Sequence, residues 1–131
     1  MTHEEVHAIV APFYTHALTV NTQTSSTEVL NRILADNFQS LNGQETKTKA
    51  VLVKQVEFFW KLIPNLKWEP QDFVVSGNKV VVRSIASGSP IGSFMGLQLE
   101  GSKSFRTDTI DIHEDEGGQV VRAHHRERWR T

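Results

Sequence analysis

The apolar positions of this chain follow one period up to about residue 64 and another beyond it. In the first half they recur at three- and four-residue spacing. Val6, Ile9, Val10, Phe13, Tyr14, Ala17 and Leu18 make one helical stripe, with Thr2 and Glu5 spaced as a capping box at its start. The polar Thr19–Ser26 stretch ends this helix. Val29, Leu30, Ile33 and Leu34 predict a short second helix capped by Ser26 or Thr27, and Asn42-Gly43 then marks a turn. Leu52, Val56, Phe59, Trp60 and Ile63 predict a third helix over about Thr48–Ile63, stopped by Pro64, which has no N–H to donate.

Beyond Pro64 the period falls to two. Leu66–Val75 reads as a strand interrupted at Pro70, Ser76-Gly77-Asn78 as a hairpin turn, and Lys79–Ser87 as a strand with Val80, Val82 and Ser84 on one face. A break at Ser87–Pro90, a strand near Ser93–Leu99, a turn at Glu100-Gly101-Ser102, a long strand Lys103–His113, a turn at Glu114–Gly118 and a last strand Gln119–Arg130 follow. Helices first and strands afterwards predict an α+β domain, with three N-terminal helices packed on one face of a bent sheet. Such a sheet leaves an apolar cavity between itself and the helices.

Composition narrows the partners. The 131 residues suit one domain spanning 1–131. Fourteen Lys and Arg against fifteen Asp and Glu give no global field for nucleic acid or an anionic membrane. There is no cysteine, so disulfides, thiolate metal sites and a Cys nucleophile are excluded. The acidic start, Met1-Thr2-His3-Glu4-Glu5, has no apolar signal core, and no apolar run is long enough to span a bilayer. The expectation is a cytoplasmic protein whose partner is an apolar small molecule, with no nucleic acid and no membrane.

The last strand carries the candidate chemistry. Its alternation puts Arg122, His124, Arg126 and Arg128 on one face, and Val121, Ala123, His125, Glu127 and Trp129 on the other. A carboxyl on an apolar face is desolvated and can exchange protons near neutral pH, so Glu127 reads as an acid/base group with His125 to orient or share its proton. The alternative is an ion pair of Glu127 with Arg83 or Arg106. Asp111 and His113 share a face of the preceding strand. A one-residue bulge in the Glu114–Gly118 hairpin would bring them to the same side as His125 and Glu127, and an even-numbered loop would turn them away. His124 and His125 point to opposite faces and cannot join His113 around one ion, so no metal site is expected. His3, His7 and His16 lie on the first helix; His3 and His7, four apart, lie off its apolar stripe and read as solvated. Most aromatic residues are core, with Tyr14 and Trp60 as pocket walls carrying a polar tip. The Gly92–Gly96 segment lacks the Lys and following helix of a phosphate loop, and no Gly-x-Ser-x-Gly elbow is present.

Several runs, in order, carry a resemblance: Ile63-Pro64-Asn65-Leu66-Lys67-Trp68, Gly77-Asn78-Lys79-Val80-Val81-Val82-Arg83, Gly88-Ser89-Pro90-Ile91-Gly92-Ser93-Phe94-Met95-Gly96, Thr109-Ile110-Asp111-Ile112-His113 and Gly118-Gln119-Val120-Val121. Together they resemble the SnoaL-like polyketide cyclase family, or ester cyclase-like group, of the nuclear-transport-factor-2-like superfamily. The resemblance implies a cone-shaped α+β barrel, a homodimer, and a site inside the cone that works without metal or cofactor. It further implies that a carboxylate on the last strand is acid and base in an intramolecular aldol closure, a lyase or isomerase reaction. A histidine and polar residues on neighbouring strands would hold the substrate. Many relatives carry Trp where His124 stands and Asp where Arg128 stands. Other branches end in His-x-Glu-x-Trp, which His125, Glu127 and Trp129 match, so Glu127 inherits the carboxylate role. The catalytic candidates are thus Glu127, His125, His113 and Asp111, and the ligand-binding candidates Tyr14, Trp60, Arg83, Phe94 and Trp129. A binding module without chemistry, and an epoxide or ester hydrolase in which Asp111 or Glu127 activates water, are the competing readings.

Overall fold

A computed structural model of the chain describes residues 3–94, 97–100 and 104–129. The side chains of His3, Val6, residues 92–100 and residues 127–129 lie outside the described residues, as do Thr2, with its cap, and the Gly101-Ser102 turn.

The first helix, α1 (His3–Pro12), runs into a π-helical turn, Phe13–Ala17. Pro12 supplies no N–H for the regular ladder, and the next turn widens so that the Leu18 amide reaches the Phe13 carbonyl at 2.9 Å. Helix α2 (Ser26–Ile33) is capped by Ser25, whose hydroxyl accepts from the Glu28 amide. That corrects the expected cap at Ser26 or Thr27. Leu34, expected on this helix, instead opens strand β1 (Leu34–Asn42), which with β2 (Glu45–Thr48) forms a hairpin the sequence pattern did not predict. Helix α3 (Lys49–Leu62) is capped by Thr48 and ends before Pro64 as expected.

The remaining strands are β3 (Lys67–Ser76), β4 (Lys79–Gly88), β5 (Ile91–Phe94), β6 (Leu97–Glu100), β7 (Phe105–Glu116) and β8 (Gln119–Trp129). The β3–β4 register shifts between Pro70 and Asp72, at the expected interruption. The single strand predicted near 93–99 is a two-stranded hairpin, β5–β6, apart from the main sheet. That main sheet has six strands in the order β2-β1-β8-β7-β4-β3. It is mixed, because β1 lies parallel to β8, and it is open at the β2 and β3 edges rather than closed as a barrel. The architecture is the expected α+β packing of three helices on a sheet face.

The core lies between that face and the helices. Val10, Phe13 and Tyr14 come from the first helical segment, Val29, Leu30 and Val56 from α2 and α3, and Val80, Val82 and Val120 from the sheet. Burying such side chains stabilises by roughly 1.5–3 kcal/mol each. Gly88 marks a close approach: a Cβ there would sit 2.3 Å from Ile63 Cγ2, so β4 can meet the end of α3 only without a side chain. Among the described residues no helix is long and apolar enough to cross a membrane.

Candidate active site

The β7–β8 hairpin decides which side chains face the helices. Glu116 pairs with Gln119 across a two-residue turn, Gly117-Gly118, whose φ values of 59° and 87° suit glycine. The register then slips: Asp115 pairs with Val120 but Glu114 with Arg122, leaving Val121 as an extra residue. The slip brings Asp111 directly opposite His125, and His113 opposite Ala123, on the inner face. The loop itself is even-numbered, the case expected from the sequence to turn Asp111 and His113 away; the extra residue falls beyond it, at Val121 on β8, and that bulge restores the inward facing.

Inward positions of β7 are polar and yet buried. Thr107, Thr109, Asp111, His113 and Asp115 are all at most 3% exposed. Thr109 Oγ1 is satisfied by Ser84 Oγ at 2.6 Å. Asp111 is held from two sides. The Tyr14 hydroxyl, delivered by the π-helical turn, donates to Asp111 Oδ2 at 2.5 Å, and Asp111 Oδ1 is hydrogen-bonded to His125 Nδ1. Since the Tyr14 proton goes to Asp111, the phenol oxygen accepts from His113 Nε2, 2.7 Å away. His113 is therefore the Nε2–H tautomer, and its buried Nδ1 has no partner among the described residues. Burial raises the Tyr14 phenol well above its usual value, and the neighbouring Asp111 adds to the rise. Burial pulls the His113 imidazole below its usual value; Asp111 opposes this and His125 assists it. Both rings are neutral supports for Asp111.

In front of this network opens a cavity of about 450 Å³, a volume suited to a small organic molecule. Phe13, Phe38, Val56, Phe59, Leu62 and Trp68 supply apolar wall, and Asp111, His113 and His125 its polar back. The Trp68 ring lies 5.9 Å from the His125 ring, tilted by 48°. Because Nδ1 holds Asp111, the other ring nitrogen of His125 is the one turned from the carboxyl. A second groove, bordered by Asn37, Gln39, Asn78, Glu114, Glu116, Val121 and Arg122, is mostly polar, and its Arg122 is already paired with Glu114 at 2.6 Å. Val121 is its one apolar lining residue among those described.

Of the sequence candidates, Asp111, His113 and His125 meet at the cavity. Tyr14 stands behind the wall, fully buried, rather than on it. Two further candidates are corrected. Arg83 points to the outer face, where it pairs with Asp72 at 2.7 Å, because inward positions on β4 belong to Val80, Val82 and Ser84. Trp60 donates its indole N–H to the Ala17 carbonyl at 2.8 Å, tying α3 to the π-helical turn instead of lining the cavity. The side chains of Phe94, Glu127 and Trp129 lie outside the described residues; in the ladder Glu127 is opposite Thr109 and Trp129 opposite Thr107. Sequence reasoning missed Ser40, Asn42, Lys47 and Gln55, which line the cavity mouth. They sit on β1, β2 and α3, and the first three had no signal because their strands went unrecognised. Among the described residues no three His, Asp or Glu side chains gather as a metal site.

Known structures share this fold. A candidate SnoaL-like polyketide cyclase from Jannaschia sp. CCS1 superposes with a TM-score of 0.81 at 15% identity, covering 95% of this chain and 85% of that one. AclR, a candidate hydroxylase from Streptomyces galilaeus, gives 0.79 at 18% identity over 98% and 82%. A protein from Catenulispora acidiphila DSM 44928 with a ketosteroid isomerase-like fold, in complex with trimethylamine, gives 0.67 at 13% identity over 96% and 86%. At these identities the likeness concerns the fold, a cone-shaped α+β arrangement. No curated protein matches the sequence. The family model for SnoaL-like polyketide cyclases matches residues 8–127, and with nearly the whole domain so covered, the chain belongs to the SnoaL-like polyketide cyclase family.

Proposed function

We propose that this protein is a proton-transfer enzyme acting with its own side chains on an apolar small molecule, in a ring closure of the aldol type or a related isomerisation. The observation that carries the reading is the His125–Asp111–Tyr14 chain at the back of an apolar cavity. A histidine becomes an effective base when a buried carboxyl fixes its tautomer and stabilises the imidazolium that forms. In the proposed cycle the His125 nitrogen turned from Asp111 removes a proton from a carbon next to a carbonyl. The resulting enolate attacks a second carbonyl of the same molecule, and the imidazolium returns the proton to the new alkoxide. The apolar wall excludes water, which strengthens the interaction between His125 and Asp111.

The test is ring formation from a panel of aromatic diketones, followed by mass spectrometry, in wild type, His125→Gln and Glu127→Gln. Loss of about 10²–10⁴-fold in His125→Gln, with the fold intact by circular dichroism, is expected. Full turnover in that variant would refute the assignment to His125, and a collapse confined to Glu127→Gln would move the acid/base role to that carboxyl. Recovery of only unchanged ligand from the wild type would favour a binding module.

A further inference from the structure

The mouth of the cavity is chemically unlike its back. Ser40 on β1, Lys47 on β2 and Gln55 on α3 line it, together with Asn42. Lys47 is the one Lys or Arg among the described lining residues. Its ammonium has three N–H donors, and one goes to Gln55 Oε1 at 3.0 Å, a neutral acceptor. Among the described residues no carboxylate lies within ion-pair distance of it. Lys49, two positions on, shows the opposite case: it is spent on the Asn31 and Leu34 carbonyls and on Asp36 at 3.6 Å. So of two neighbouring lysines one ties α3 to the α2–β1 corner, while the other is half-buried at the edge of an apolar cavity with no anion to neutralise it.

We propose that Lys47 is an anchor for an anionic group on the ligand, and that the substrates of this cavity are apolar molecules carrying a carboxylate. This rests on the reading of the cavity as the substrate site and specifies the substrate class. The register sets the spacing. Ser40 pairs with Lys47 on one side and with Ala123 on the other, and His125 is two residues beyond Ala123 on the same face. With strands about 4.8 Å apart and a rise of about 3.3 Å per residue, the two Cα atoms are roughly 12 Å apart on a flat sheet and closer on a curved one. A ligand whose carboxylate meets Lys47 therefore presents to His125 a carbon separated from it by a ring system or a short chain. The Gln55 carbonyl orients the ammonium beforehand, which lowers the ordering cost of binding.

The experiment uses a matched pair of fluorescent probes, naphthylbutanoic acid and naphthylbutanamide, titrated at neutral pH and low salt against wild type, Lys47→Gln and Lys47→Met. The wild type should prefer the acid by about tenfold, as a charge-assisted contact in a partly exposed site allows. Both variants should lose that preference while binding the amide as the wild type does, and added salt should erode the preference in the wild type alone. Equal binding of acid and amide by the wild type, or a preference that survives both substitutions, overturns the anchor and leaves the cavity reading standing. Binding of neither probe overturns both. Lys47→Met keeps the apolar stem and supplies a folded comparison if Lys47→Gln is unstable.

Discussion

Asp111 and Asp115 occupy the same face of β7, are 3% and 1% exposed, and have opposite fates. Asp111 meets two partners, the Tyr14 hydroxyl and the His125 ring. Asp115 meets none among the described residues: both its carboxylate oxygens are buried without a hydrogen bond there, and burial pushes its carboxyl up to about 6. The difference teaches that an inward carboxyl is not by itself a site. What makes Asp111 useful is the pair of groups that the π-helical turn and β8 bring to it. Asp115, at the hairpin end where no donor is aimed, keeps its proton until the medium is near neutral.

The sharpest way to break the contrast is Tyr14→Phe. It takes one of the two partners of Asp111, leaving His125 in place, and the acceptor of His113 Nε2–H, which is then buried without one. One orphaned group costs about 1–3 kcal/mol and the lost hydrogen bond to Asp111 about 1 kcal/mol more, so a loss of about 3 kcal/mol in urea denaturation is expected. A loss under about 1 kcal/mol would show that water replaces the phenol.

The next effect tests Asp115 through pH. Its folded value lies above that of the unfolded chain, so between about pH 4 and 6 the folded state binds more protons and stability falls as pH rises. Below that window both states are protonated and the penalty is absent. Above it the penalty is complete, on the order of 2–3 kcal/mol. In Asp115→Asn this decline should disappear from stability measured across the same range. An unchanged pH profile would mean that Asp115 is not the group responsible.

A third carboxyl provides the baseline. Asp72 pairs with Arg83 on the outer face, where the two side chains are 60% and 48% exposed. Arg83→Ala should cost below about 1 kcal/mol and leave probe binding in the cavity unchanged, as suits a solvated ion pair. A loss of ligand affinity would place Arg83 in the site after all.

Periodicity alone determined the three helices, the long hairpin strands and that Asp111 and His113 share one face, because burial against a single core imposes the periods 3.6 and 2. It could not find β1 and β2. Their inward positions include Ser40, Asn42 and Lys47, which face a cavity rather than a core, so the apolar alternation that marks a strand is absent. Three further matters were left to the tertiary structure. The extra residue at Val121 sets Asp111 against His125. The parallel β1–β8 pairing joins segments distant in sequence and closes the cavity wall. The widened turn after Pro12 carries Tyr14 to a partner 97 residues away. Each is a long-range contact whose geometry depends on where other elements come to rest, and a local pattern of side chains holds no record of that.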